Sequence, residues 1–412
     1  MAKPFAAKSF RSPVLVLIAA MVVVSLALGI RSTMGLFLRP MTADLGWGRE
    51  VFAFAIALQN LLWGAAQPFT GMIADRYGTG RVIAISGVGY ALGLAMMATA
   101  DHPFMLNLGL GVVNGLFFSG VTFSVVLGAV SRAVPAEKRG MAMGIASSGG
   151  SVGQFVMLPL GQWFIDSQGW ATALILLAAI SLFMVPMGAI LTGKAAPSAG
   201  DTVARPGRAF LEAVGYRQYW LMFVGFFVCG FHVSFVATHL PAYLVDNGIA
   251  ATMGATALAL IGFFNIFGSL AFGALGDRFS KKKTLAFLYL TRGAAIAGFM
   301  AVPLSNASVL VFAAVMGFTW LGTVPLTNGL VGQVFGARYM ATLSGFVFFG
   351  HQIGAFIGVW LGGLIFDLTG SYNPIWYAGI ALGVFAAAVH WPIDERPLAV
   401  EGNAPEPAFA GK

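Results

Sequence analysis

Charge is scarce in this chain of 412 residues: 9% are Asp, Glu, Lys or Arg, against about a quarter in soluble domains. Cysteine is scarcer still. The lone Cys229 lies in an apolar run, which excludes a disulfide framework. The 15 carboxylates all fall in loops or near the ends of apolar runs. No acid pair is therefore available for general acid–base work inside a membrane. Catalytic signatures are missing too: there is no HExxH, no Gly-x-Ser-x-Gly and no nucleotide-binding loop. The stretch "GDRFSKK" lacks the Gly-Lys-Ser/Thr ending of a phosphate loop. These absences argue against an enzyme, against direct coupling to ATP, and against any metal or organic cofactor.

What is abundant is apolar sequence. Hydrophobic residues make up 58% of the chain and the mean hydropathy is +0.85, the composition of a membrane protein. Runs of about 20 apolar residues suffice to cross the hydrocarbon. They fall near 13–39, 48–73, 80–100, 104–131, 139–165, 170–192, 218–244, 252–276, 284–303, 306–333, 340–366 and 374–393. The start, "MAKPFAAKSFRSP", carries positive charge ahead of an apolar run as a signal peptide does. The run is too long and has no small-residue cleavage pattern, so it reads as a retained first helix.

Charge then sets the orientation. With a cytoplasmic N-terminus, 19 of the 23 basic residues fall on the inner side, including Arg76, Arg132, Arg278 and Lys281 to Lys283. Arg49 alone is in an outer loop and Arg39 is at an outer helix end. This is the positive-inside bias, with both termini cytoplasmic. It accounts for the net charge of +8 without any nucleic-acid partner. The expected location is a cell inner membrane, and the expected working unit is a monomer in the lipid bilayer.

The chain also repeats itself. "GMIADRYGTGR" at 71–81 is echoed by "GALGDRFSKKK" at 273–283, with Asp75 and Asp277 202 positions apart. "SVGQFVMLPLGQWFIDSQG" at 151–169 is echoed by "QIGAFIGVWLGGLIFDLTG" at 352–370. There Gly153, Asp166 and Gly169 precede Gly354, Asp367 and Gly370 by 201 positions. Two echoes at nearly one offset predict an all-α membrane protein of twelve transmembrane helices in two pseudo-symmetric six-helix bundles. Parallel repeats about a central site are a transporter architecture. The expected division is a cytoplasmic N-terminus 1–12, a first bundle 13–192, a cytoplasmic linker 193–217, a second bundle 218–393 and a cytoplasmic tail 394–412. The linker, "GKAAPSAGDTVARPGRAF", and the tail have no apolar period.

At these residues the sequence resembles the major facilitator superfamily, over essentially its whole length. The loop with Gly71, Asp75, Arg76 and Gly78 matches that superfamily's GxxxDRxG pattern. In the second copy Gly273, Asp277 and Arg278 remain and Ser280 replaces the last glycine. More narrowly, "DLGWGRE" after the first span and "EKRGMAMGIASSGGSVGQ" entering the fifth are similar to the bacterial branch of the monocarboxylate transporters. Where that family carries an arginine in the eighth span, "GFFNIFGSLAFG" offers Asn265 and Ser269. The resemblance implies alternating access, and a conformational latch at Gly71, Asp75, Arg76, Gly78, Asp277 and Arg278.

Few ionisable residues remain inside the spans: Arg31, Arg292, His232, His239 and His351, with His390 at the end of the last. Two readings of Arg31 stand side by side. It snorkels to the outer interface or bonds carbonyls of a neighbouring helix, or it awaits an anionic substrate as its missing partner. Arg292 lines the site or braces the second bundle, where the resemblance puts its helix at the periphery. His232 reads as a core histidine or a ligand. His351, with Gln352 beside it, is the histidine better placed to line the site, histidine being the side chain suited to a switch at physiological pH. Asn60, Asn114, Gln154 and Asn265 serve as interhelical hydrogen bonds or together line a wet cavity. Phe118, Phe264 and Trp320 are candidates to cover its apolar part. The expected substrate is a small organic anion, a monocarboxylate above all, carried by proton symport or anion exchange. The alternative is a proton-coupled exporter of drug-like or lipophilic compounds, which the aromatic content suits and the lack of a mid-span acid opposes.

Overall fold

In lipid a backbone can satisfy its polar groups only within itself, so long apolar runs become helices. A computed structural model describes residues 12–135, 138–193, 211–336 and 340–398. Most of the expected linker, the N-terminal residues before Ser12 and the tail beyond Leu398 lie outside the described residues. Among those described, every regular element is helical.

Among the described residues ten helices are long and apolar enough to cross a membrane. One of them, Met141–Ile190, makes two passes, because Gly169 breaks its helical geometry at φ 78° and ψ 163°. A side chain at such a φ is strained, so glycine ends the fifth span there. The helix Arg49–Tyr77, of 29 residues, is more polar and completes the twelve.

The first span consists of Pro13–Ser32 and Met34–Leu45, interrupted at Thr33. The second is Arg49–Tyr77, the third Thr79–Ala98 and the fourth 103–133. The fifth and sixth are 139–168 and 170–190. The seventh is Arg217–Asp246, the eighth Ala251–Arg278 and the ninth Lys281–Ala301. The tenth, Asn306–Thr319 with Thr323–Phe335, is broken between its segments. The eleventh is Met340–Thr369 and the twelfth Asn373–His390. Of the expected edges that move outward, two move furthest. The first span runs past Pro40 to Leu45, and the second runs past 73 to Tyr77. Proline costs one intrahelical bond, which neighbouring helices make tolerable in a membrane.

The repeat is visible in the backbone. A Cβ on Gly153 would strike the Ser25 carbonyl of the first span, and one on Gly354 the Phe227 carbonyl of the seventh. Each glycine lets two helices of its own half touch backbone to backbone. One apolar cluster fills the first six spans, built around residues such as Ile30, Phe52, Tyr90 and Leu174. Two clusters fill the last six, one around Phe235, Phe312 and Trp376 and one around Tyr219, Leu288 and Phe335.

One end of the molecule carries Arg76, Arg132 and Lys281 to Lys283 and is here called the basic end. The other, the far end, carries Arg49, Asp246 and Asp367. The halves meet along two antiparallel helix pairs, the second span with the eleventh and the fifth with the eighth. At the far end the first span also packs on the seventh, where a Cβ on Gly35 would strike the Ala237 carbonyl.

Candidate functional site

Arg31 is the last helical residue but one before the break at Thr33, so its side chain leaves a helix end in the middle of the bundle. Its guanidinium donates to the Asn60 carbonyl oxygen on the second span, and its Nε has no partner. It stands over Trp63 at 5.1 Å and Phe118 at 5.7 Å, a cation over two aromatic faces. Its bonds and ring contacts among the described residues are with uncharged side chains, and the residue is partly exposed.

Trp63 joins this group to the other half. Its ring meets Phe348 of the eleventh span at 5.5 Å, and Phe348 stacks on His351 at 5.4 Å. His351 Nδ1 is 3.0 Å from the Gln352 carbonyl oxygen. A carbonyl only accepts, so Nδ1 donates this bond, and the ring is also hydrogen-bonded to the Cys229 thiol. The Gln352 amide nitrogen has no partner, and its stem lies against Gly64 of the second span. Arg31, Asn60, Trp63, Phe118, Phe348, His351 and Gln352 thus form one continuous set across the seam. Trp63 and Phe348 were not singled out from sequence, where nothing separates them from the other aromatics.

The remaining candidates lie outside this set, and of them Arg292 is linked to it through Cys229, which is hydrogen-bonded to His351. Arg292 is fully buried and donates to the carbonyls of Thr319 and Trp320 and, at 3.4 Å, to Cys229 Sγ. Those carbonyls are released by the break in the tenth span, so Arg292 caps a helix end and does not line the seam. Trp320 belongs to that break, and the residue is 4% exposed. His232 is 1% exposed and donates from Nε2 to the Gly379 carbonyl at 2.7 Å, a core histidine within the second half. Asn114 is fully buried inside the first half, beside Gly93, with both amide atoms unpartnered. Gln154 and Asn265 lie on the seam but are engaged there. Gln154 donates to the Leu258 carbonyl at 2.9 Å, and Asn265 to Ser151 Oγ at 2.9 Å. The Asn265 carbonyl also accepts from Leu321 N at 3.0 Å, satisfying the broken tenth span.

The far end is closed by a polar cluster between the halves. Arg49 donates to both oxygens of Asp246, at 2.5 and 2.8 Å, and to Tyr372 Oη at 2.9 Å. Its guanidinium lies 3.6 Å from the centre of the Phe366 ring. Arg39 reaches the same Asp246 at 3.3 Å. Asp367 accepts from the backbone N–H groups of Arg49 at 2.9 Å and Glu50 at 2.8 Å, capping the second span from the opposite half. Trp360 donates to Glu50 at 2.8 Å. The signal available beforehand was Arg49 itself, the one cation in an outer loop. A cavity lined by Arg39, Gln162, Asp166 and Pro241 lies at this end, apart from the central set.

At the basic end Asp75 is 3.9 Å from Arg132 of its own half, and Arg76 stands over Tyr77 at 5.4 Å. Asp277 and Arg278 are exposed. Gly78 ends the second span at φ 99°, whereas Gly71 is helical. Phe69, Met72 and Leu270 near this end of the second and eighth spans are exposed by 60–71%.

The family model for the Major Facilitator Superfamily matches residues 17–359. Monocarboxylate transporter 11 of Mus musculus is 27% identical over 368 residues, covering 86% of this chain and 81% of that protein. The oxalate:formate antiporter of Oxalobacter formigenes is 22% identical over 358 residues, covering 85% and 84%. Among solved structures, a bacterial homologue of the human lysosomal transporter Spinster, in an inward-facing and unoccupied conformation, superposes with a TM-score of 0.74. It is 16% identical and covers 95% of this chain and 97% of its own.

Proposed function

The chain belongs to the major facilitator superfamily and is a membrane transporter, and on that premise we propose that it carries a small organic anion, a monocarboxylate first, by alternating access. The observation that carries this reading is Arg31. A cation held between aromatic faces, answered only by a neutral amide, lacks the negative charge that would compensate it. A substrate carboxylate supplies that charge bidentately in a site of low dielectric. The printed names of the relatives, a monocarboxylate transporter and an oxalate:formate antiporter, support the same class.

The basic end is the cytoplasmic one, by the positive-inside bias, and the membrane is the inner membrane of a cell. The conformation described is then inward-open: sealed outside by Arg49, Asp246 and Asp367, and parted inside. Asp75 and Arg76 bias the opposite state. His351 is the proton carrier in symport, and in anion exchange Arg31 stays occupied throughout the cycle. A monomer suffices for either scheme. The aromatic lining, Trp63, Phe118 and Phe348, favours one second reading, a proton-coupled exporter of lipophilic compounds.

Uptake into proteoliposomes of labelled mono- and dicarboxylates, with and without a pH gradient, tests the proposal. Saturable uptake of a carboxylate supports it, and a pH gradient that drives accumulation selects symport over exchange. Indifference to every carboxylate, with export of a lipophilic dye, would replace it with the second reading.

A further inference from the structure

Arg292 is a fully buried cation, and none of its three acceptors is a carboxylate. Two are the Thr319 and Trp320 carbonyls, which offer only dipoles. The third is Cys229 Sγ at 3.4 Å, and of the three only a thiol can become an anion by giving up a proton. Arg292 Nε has no partner at all. The same sulfur is 3.1 Å from Thr323 Oγ1 and is hydrogen-bonded to the His351 ring. The fully buried Tyr289 hydroxyl interacts with it as well.

Three neighbouring spans bring these groups to the thiol. A Cβ on Gly230 would strike the His351 carbonyl, so the seventh and eleventh spans touch backbone to backbone right beside Cys229. The ninth span supplies Arg292 and Tyr289. The break in the tenth ends at Thr323, the first residue of a helix of 13 residues, whose N-terminal partial charge is positive. A guanidinium, an imidazole and a helix N-terminus are the surroundings in which thiolates are found. Two further ionisable groups face this cluster, and both are engaged elsewhere. His232, on the thiol's own span, is bonded to the Gly379 carbonyl. His390 of the twelfth span stacks on Tyr289 at 5.2 Å and is bonded to the Ala386 carbonyl. Cys229 is fully buried, whereas His351 is 7% exposed and belongs to the central set. The imidazole therefore stands between the thiol and the seam.

We infer that Cys229 is the buried acid of this transporter: its thiol shares a dissociable proton with His351, and Arg292 faces the thiolate left behind. The S–H bond breaks, its electron pair stays on sulfur, and an N–H bond forms on the imidazole. The imidazole then releases a proton to water at the seam, and the reverse transfers reload the thiol. A chain whose carboxylates all lie in loops or near span ends thus has a second group, beside the histidine, that changes charge within the membrane. The inference rests on the symport reading of the proposed function, in which His351 carries the proton.

Cys229 is the one cysteine of the chain, so the infrared S–H stretch of the protein in proteoliposomes reports it alone. The band should weaken as pH rises from about 5 to about 9, the range in which thiols and imidazoles titrate in proteins, and be absent from Cys229→Ser. Arg292→Gln should raise the thiol-to-thiolate ratio at a given pH about tenfold or more, the effect of removing an opposite charge this close. Accumulation driven by a pH gradient should fail in Cys229→Ser, whose hydroxyl is no acid. It should return in Cys229→Asp with a pH profile displaced to lower pH, whereas a merely structural thiol would be served by Ser and not by Asp. The inference is overturned if the band keeps its intensity across that range, or if Cys229→Ser accumulates substrate with an unaltered pH profile. A titrating band that responds to Arg292→Gln, in a protein that carries no carboxylate, would support the thiol and sink the proposed substrate class. A constant band in a protein that couples carboxylate uptake to protons would sink the thiol alone.

Discussion

Neutralising Asp246 should move the protein toward the state in which the far end is open. The carboxylate accepts two bonds from Arg49 and one from Arg39, and all three residues belong to the far-end seal. The Arg49 and Asp246 side chains are 11% and 21% exposed, so the pair is bidentate but not dry. A charge-assisted pair of this kind is worth about 1.5–3 kcal/mol when fully desolvated, and residual exposure reduces that to about 1–2 kcal/mol. Because the bonds join opposite halves, they stabilise only the state with the far end closed. Asp246→Asn therefore raises the ratio of far-end-open to far-end-closed molecules about 5–30-fold. High salt, which screens exposed ion pairs over about 3 Å at 1 M, should produce a weaker shift in the same direction. Electron–electron resonance between labels at Asp101→Cys and Asn306→Cys, exposed residues at the far ends of the two halves, reads the change as a longer distance. Asp394→Asn is the control. That carboxyl is held down at about 2 by its hydrogen bonds to Arg396, so it is charged at any working pH, yet it touches no residue of the seal. An unchanged distance distribution in Asp246→Asn, or an equal shift in Asp394→Asn, would refute the reasoning.

Arg31→Lys should keep the charge, lose the planar fork and weaken substrate binding, while Arg31→Gln should abolish saturable transport, a loss of about 2–5 kcal/mol; normal uptake by Arg31→Gln sinks the anion site. Arg292→Leu should lower the melting temperature, because two carbonyls of the broken tenth span lose their donor at about 1–3 kcal/mol each; Arg292→Lys should restore only part, since one ammonium cannot reproduce the fork, and an unaltered melting curve in both would show that the break needs no cap. Asp75→Asn should increase labelling of cysteines placed at the basic end, and labelling unchanged at both ends would show that the loop is no latch. If His351 carries the coupled proton, His351→Gln should remove the pH dependence of transport while exchange of one anion for another persists; a pH profile that follows the substrate's own acidity and ignores the substitution assigns the proton to the substrate.

Much of the architecture was legible in the chain before folding. Twelve apolar runs follow from the need to satisfy a backbone in lipid, a requirement that acts locally; the bias of basic residues to one side reports orientation, and the echoes near 201 positions report an internal repeat. The scarcity of mid-span acids was equally plain, and with it the problem posed by a cation such as Arg31. What the one-dimensional pattern could not do was separate Arg31 from Arg292. Both are arginines in apolar helices with no acid nearby in sequence. Their difference is decided by other spans: a break after Thr319 turns two carbonyls toward Arg292, whereas Asn60, Trp63 and Phe118 surround Arg31 with uncharged groups only. The same holds for the far end, where Arg49 meets Asp246 some two hundred positions away, and for His232, which a carbonyl of the twelfth span claims for the core. Membrane insertion is set by each segment's own transfer free energy, so sequence determines it. The partner of a buried polar group is set by where broken helices release their carbonyls and which side chains reach them, and only the packed bundle determines that.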